Sequence, residues 1–253
     1  MADDLREMAM DGLDLKGKRI LEIGPLDRPV AKKGKGSEVF YLDHCSTEDL
    51  KAKYADDPVI KKDKIAEIDF VSLDGSVSRE AIGDNKFDVI LACHVIEHVP
   101  NLAKWIADNA NALNAGGVLA LVIPDRRYTF DYFRRITPKA WIEAAHAGDF
   151  KRPGLENVCD HFSNVAHINA ADIWARKDVS QAPRIHDANT VIRALSDWHA
   201  GGYIDCHSWV FEHDRFKDLM EWLFDRFSIG MKVKRTIPPV DGQLEFYAQL
   251  QKI

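Results

Sequence analysis

The stretch ACHVIEHVPN, Ala92 to Asn101, concentrates side chains that could do chemistry. His94, Glu97 and His98 make a His-x-x-Glu-His pattern, the spacing with which one class of zinc proteases holds its metal and its base. Such a site needs both imidazoles one turn apart on one helical face. Pro100 follows two residues after His98 and argues for a helix that begins only at Asn101. A zinc hydrolase would also need a further ligand downstream, for which His161 or His167 is available. The competing reading places the stretch in a loop at the end of a strand. There His94 or His98 would take a proton from a hydroxyl, since an imidazole pKa of about 6.5 suits that task at neutral pH. The plain alternative for His98 is packing at the helix start.

Two further groups stand out. Arg126, Arg127 and Tyr128 follow the apolar run GVLALVIPD. A guanidinium there would clamp a phosphate or carboxylate, unless it pairs with Asp125 or Asp131. Ten histidines exceed what a core of this size needs, and most fall in the second half. A metal site from His161, His167 and His207 matches no strong zinc motif, so no metal is assigned. His161, His207 and Trp209 read instead as candidates for a lid over a cleft.

The elements that must position these residues alternate through the first half. KRILEIG (18–24), EVFYLDH (38–44), EIDFVSLDG (67–75), FDVILACH (87–94) and GVLALVIPD (117–125) are apolar runs bounded by turn residues. They read as strands buried on both faces of a parallel sheet. A helix over 101–114 shows Leu102, Trp105, Ile106, Ala110 and Leu113 on one stripe, with Asn101 as N-cap and Gly116–Gly117 as its end. A second helix fits 46–57 with Ser46 as cap, while LDRPVAKKGKG after the first strand is a weaker helix candidate and reads as mostly loop. Residues 126–207 show no strand series and read as mainly helical. Phe216, Leu219, Met220, Leu223, Phe224 and Phe227 then recur at helical spacing and read as core. MKVKRTIP and LEFYAQLQKI close the chain as a hairpin. The expected fold is α/β: a doubly wound, mostly parallel, seven-stranded Rossmann-like sheet with an antiparallel terminal hairpin and a mainly helical insertion after the fifth strand. One domain spans 1–253, with 126–208 as an inserted lid or acceptor-binding segment.

This order, with ILEIGPLDRP at the first strand end and FDVILACHVIEHVPNLAKWIADNANALNAGGVLALVIPD through the fifth, resembles the class I S-adenosylmethionine-dependent methyltransferases. Within them it is similar to the type 11 members and to a bacterial subgroup associated with sugar or cell-envelope biosynthesis. The resemblance is close over 15–125, loose over the last helix and hairpin, and silent on 126–207. It implies S-adenosylmethionine as cosubstrate, contacted by Glu22, Gly24 and Pro25, by Asp43 and His44, by Asp74, and by the chain around Cys93 and His94. Glu22 would neighbour the ammonium, Asp43 would accept the ribose hydroxyls, and Asp74 rather than Asp69 would meet the adenine. Relatives often carry Glu-x-Gly-x-Gly-x-Gly, whereas only Gly24 remains here and Pro25 follows. The loop at the methionine part must therefore differ, using Leu26 to Arg28. The catalytic candidates are His94, His98 and Arg127, and Arg126, Tyr128, His161, His207 and Trp209 border the acceptor. The implied acceptor is a small molecule, sugar-like or phosphorylated, such as a sugar or nucleotide-sugar hydroxyl.

Bulk properties narrow the alternatives. A net charge of −6 disfavours a nucleic-acid partner held by electrostatics. No apolar run reaches the length of a membrane span, and the acidic start lacks the order of a signal peptide. Four cysteines without a CxxC pair suit a reducing cytoplasm. A homo-oligomer is compatible with the composition. The rival readings are a non-catalytic S-adenosylmethionine-binding scaffold, the zinc hydrolase using His94, Glu97 and His98, and a nicotinamide-dependent dehydrogenase, which would need the G-x-G-x-x-G that is missing.

Overall fold

The computed structural model describes residues 5–73 and 75–253. Five strands run parallel: β1 (Arg19–Ile23), β2 (Glu38–Asp43), β3 (Phe70–Val71), β4 (Phe87–Cys93) and β5 (Leu113–Pro124). β6 (Met231–Ile237) and β7 (Glu245–Lys252) complete one seven-stranded sheet in the order β3-β2-β1-β4-β5-β7-β6, with β7 antiparallel to both neighbours. The expected sheet and terminal hairpin are therefore present.

Alternation along the central strands builds two cores. Leu21, Ile23, Ile90, Ala92, Leu119 and Leu121 face one side. They pack under α3 (Leu102–Ala112), α4 (Lys139–Ala147) and α8 (His213–Arg226), the last contributing Phe216, Met220, Leu223 and Phe224. Ile20, Val89, Leu91, Ala120 and Val122 face the other side, covered by Ala9 and Met10 of a short 3-10 helix and by Val30 and Ala31 of a loop.

Between β1 and β2 the described chain is loop, in line with the weak helix signal there, and buried Glu22 holds it by accepting hydrogen bonds from Val30 N (2.9 Å) and Ala31 N (2.8 Å). Local departures from expectation have visible causes. β3 shrinks to two residues because the chain beside it bonds to side chains. Thr47 Oγ1 accepts from Ile68 N, and Asp69 Oδ2 accepts from Tyr41 N. Asn101 caps α3 as expected, accepting from Lys104 N at 3.1 Å, but the helix stops at Ala112. Leu113 already pairs with Phe87 as the first residue of β5, so Gly116 and Gly117 lie within the strand. A Cβ at Gly117 would stand 2.9 Å from Asn114 O and 3.0 Å from Asp88 O, which explains the residue's small size. Ser46 caps α1 (Thr47–Lys53), shorter than the predicted 46–57.

The segment after β5 is helical: α4, then α5 (Leu155–Asn164), α6 (Ala170–Trp174) and α7 (Ala188–His199). Val158, Ala194 and Cys206 form a small separate core there.

Candidate functional site

Strand order reverses between β1 and β4, the point at which ligands bind in open parallel sheets. A cavity of about 420 Å³ opens there at the carboxyl ends of the strands. Its floor is made by Gly24 after β1, Asp43 and His44 at the end of β2, and His94, Val95 and His98 after β4. Leu73, Gly75, Tyr203 and Asp205 complete its rim. Gly24 has φ +68°, a conformation that a side chain would strain, and a Cβ there would meet Val95 Cγ2 at 3.3 Å. The one glycine that remains of the expected motif is thus the one the turn requires.

Asp43 is 7 % exposed. Its Oδ1 accepts from His44 N at 2.7 Å and lies 2.6 Å from His44 Nδ1, while Lys53 Nζ lies 2.9 Å from His44 Nε2. This chain orients the imidazole as an Nδ1–H donor to Asp43 and an Nε2 acceptor from the lysine.

The loop from His94 to Pro100 contains no helix, which overturns the helical zinc-protease geometry for His94 and His98. His94 has φ +52°, rare for a residue with a Cβ and a mark of local strain. Its Nδ1 lies 3.5 Å from Glu97 Oε1 and its Nε2 3.8 Å from Glu245 Oε1. Burial favours the neutral ring, but the two carboxylates outweigh it and raise the pKa to about 9. That differs from the ordinary imidazole assumed for a general base: at neutral pH this ring already carries its proton.

Glu97 is fully buried. Burial works against its charge, yet His94, His207 and His98 together hold its pKa below the usual value. His98 Nδ1 lies 2.9 Å from Asp205 Oδ1, and His207 Nδ1 lies 2.6 Å from Asp131 Oδ2. The rings of His98 and His207 meet edge to face at 4.8 Å.

Several expected contacts are corrected. Trp209 is not lid surface; it is 1 % exposed and sits in the main core. Its N donates to Glu97 O at 3.0 Å and its Nε1 to Val99 O at 2.6 Å, so it pins the His94–Pro100 loop from beneath. Arg127 is paired twice, with buried Asp125 at 2.6 Å and with Asp214 at 2.8 Å. Arg126 pairs with Glu212 at 2.6 Å and donates to Tyr132 O. The ion-pair alternative therefore describes both arginines, and neither lines the cavity. Tyr128 stacks on Trp174, with ring centroids 4.7 Å apart, away from the cavity. His161 also stands off it; burial and the Arg134 guanidinium push its pKa down to about 3. His167 is exposed and joins no cluster with His207. The carboxylate of Glu22 holds the loop after β1 instead of lining the cavity. Pro25 is buried, and the Cys93 side chain packs on the opposite sheet face. Asp74 lies outside the described residues.

Sequence reasoning missed Asp131, Asp205 and Glu245, the carboxylates that orient His207, His98 and His94. Asp131 was named only as a possible partner of the arginines, and Asp205, two residues before His207, pairs with His98 instead. Their partners come from distant segments.

A family model described as a methyltransferase domain matches residues 1–222. No curated protein sequence matches the chain. Among solved structures, an S-adenosylmethionine dependent methyltransferase from Mesorhizobium loti aligns with TM-score 0.50 and 15 % identity, over 99 % of this chain and 99 % of that one. A Rhodobacter sphaeroides protein described as a Zn-dependent alcohol dehydrogenase aligns with TM-score 0.53 and 14 % identity, over 100 % and 90 %. At such identities these likenesses speak to fold alone. The family model spans most of the chain and all five parallel strands, and the chain belongs to the class I S-adenosylmethionine-dependent methyltransferases.

Proposed function

We propose that the cavity at the ends of β1, β2 and β4 binds S-adenosylmethionine, and that the chain passes its methyl group to a hydroxyl of a sugar-type small molecule. One observation carries the reading: Gly24, Asp43 and the His94 loop surround a single cavity at the strand-order switch point. Asp43 would take the ribose hydroxyls through Oδ2, since the hydrogen bonds its carboxylate makes to described residues end on Oδ1. The methionine part would lie over Gly24 and the chain at His94, and the adenine toward Leu73, Gly75 and Val99.

The segment 126–208 reaches this cavity through Tyr203 and Asp205. A half-exposed aromatic ring beside a carboxylate suits stacking on a sugar face and bonding its hydroxyls. A phosphorylated acceptor has less support, because Arg126 and Arg127 are tied to Glu212, Asp125 and Asp214. In the reaction the acceptor oxygen attacks the methyl carbon in line with the sulfonium sulfur. The O–CH₃ bond forms as the S–CH₃ bond breaks, leaving S-adenosylhomocysteine, and the hydroxyl proton is released to water beside exposed Asp205. The cosubstrate is already activated, so the protein contributes mainly alignment and exclusion of water.

Calorimetric titration of S-adenosylmethionine and S-adenosylhomocysteine tests the assignment, with Asp43→Ala as the comparison. Micromolar binding by the parent chain and a loss of about 100-fold or more in the variant are expected, since two charge-assisted bonds would disappear. Binding no tighter than millimolar by the parent chain, or unchanged in the variant, overturns it.

A further inference from the structure

The buried Glu97 carboxylate is not explained by the residues around it. Both oxygens lie out of contact with solvent, and neither accepts a hydrogen bond from the described residues. His94 Nδ1 balances its charge at 3.5 Å from Oε1, too far for a good hydrogen bond. A fully buried carboxylate without donors is costly and calls for a ligand.

Two imidazoles converge on it. Glu97, His98 and His207 each place one ligand atom within 4.8 Å of the other two. Asp205 engages His98 at Nδ1 and Asp131 engages His207 at Nδ1. In the tautomer those bonds favour, Nδ1 carries the proton and Nε2 the lone pair, in both rings. A histidine whose outer nitrogen is held by a carboxylate, leaving the inner one as donor, is the arrangement found around protein-bound transition metals. Asp131 is itself anchored by Arg134, 2.9 Å away, in a site almost without solvent.

We propose that Glu97, His98 and His207 bind a divalent transition-metal ion, zinc by the chemistry of its donors, with an open position toward the cavity. Two imidazoles and one carboxylate are a recurrent donor set for such an ion when a further position is left for substrate. A tetrahedral ion with bonds of about 2.0–2.1 Å sets its ligand atoms roughly 3.3–3.5 Å apart. The cluster must therefore draw in by about 1 Å, which side-chain rotation of half-exposed His98 can supply. His98 lines the cavity while Glu97 and His207 lie behind it, so the open position faces the space assigned above to the acceptor. There the ion would fix the acceptor oxygen and acidify its hydroxyl, the proton leaving to water past exposed Asp205. This use of the ion rests on the proposed methyl transfer; its binding does not.

The experiment titrates the chelator-stripped 253-residue chain with zinc ion alone, against a chromophoric competitor, and measures S-adenosylhomocysteine binding on the same samples. One equivalent of tightly bound zinc is expected. Asp131→Asn should weaken it roughly 10–100-fold, the usual contribution of a supporting residue, and Glu97→Gln and His98→Gln should weaken it more. Cobalt in place of zinc on the unsubstituted chain should give the intense visible bands of a low-coordinate site, a readout independent of whether the variants fold. Zinc binding no tighter than millimolar, or unchanged in Glu97→Gln and His98→Gln, overturns the proposal. If S-adenosylhomocysteine binds and zinc does not, only the metal inference fails. If zinc binds and S-adenosylhomocysteine does not, the methyl-transfer reading of the cavity fails instead.

Discussion

Trp209→Phe separates the two roles this side chain combines, packing in the core and holding the loop after β4. Phenylalanine keeps an aromatic ring in the apolar site but cannot donate to Val99 O, which the indole Nε1 meets at 2.6 Å. Val99 is 3 % exposed, so water does not readily replace the lost donor. An unsatisfied buried carbonyl costs about 1–3 kcal/mol. The smaller ring leaves roughly 40 Å³ unfilled, adding about 1 kcal/mol at ~24 cal/mol per Å³. The sum, about 2–4 kcal/mol, corresponds to a fall in Tm of roughly 5–15 °C for a chain of this length. Thermal unfolding followed by circular dichroism reads it directly. Val99 and His98 both line the cavity, so cosubstrate affinity measured by calorimetry should fall as well. A variant melting within about 2 °C of the parent, with unchanged affinity, would refute the claim that Trp209 secures this loop.

Arg127→Ala should act on stability rather than on acceptor recognition. It leaves Asp125, which is fully buried, with the N–H groups of residue 127 and His213 as remaining donors. The guanidinium is about a third exposed, so a loss of about 2 kcal/mol is expected instead of the 3–5 kcal/mol of a fully buried pair; urea unfolding measures it, and an unchanged midpoint contradicts it. Asp88 governs part of the acid behaviour. Burial raises its pKa, but hydrogen bonds from Arg19 N and Asn114 Nδ2 outweigh this and leave it below the ordinary carboxylate value. A depressed folded-state pKa contributes stability that is present above the unfolded value of about 3.9 and is lost as pH falls through the folded one. Asp88→Asn should therefore lower the urea midpoint near neutrality and flatten its decline below about pH 4; parallel pH profiles for variant and parent would rule the contribution out.

Much of the sheet was legible because its strands are short apolar runs between turn residues, and that pattern survives in any context where both faces are buried. The α3 cap at Asn101 was equally legible, being a local bond between residues three apart. β3 was overestimated because an edge strand competes with side-chain acceptors, and a window of sequence does not show that Thr47 and Asp69 will take those bonds. The arginines after β5 illustrate the same limit. Arg127 had Asp125 nearby in sequence, yet Asp214, 87 positions on, completes its pairing.

For the site, the strand ends that line the cavity were legible locally: a glycine after β1, an acid at the end of β2 and a histidine-bearing loop after β4, while their reading as cosubstrate contacts came from the family resemblance. The strand ends are consequences of local backbone geometry, and they hold without knowledge of the rest of the chain. What the histidines face was decided only by the tertiary structure. His-x-x-Glu-His read as one motif, but Pro100 keeps it from being helical, and the loop turns Glu97 inward while Trp209 holds it there. His207 then arrives from 109 residues away to stand beside His98, with Asp131 and Asp205 behind the two rings. Sequence spacing describes neighbours along one element, whereas this cluster is assembled across elements, and only packing determines which side chains share a buried space.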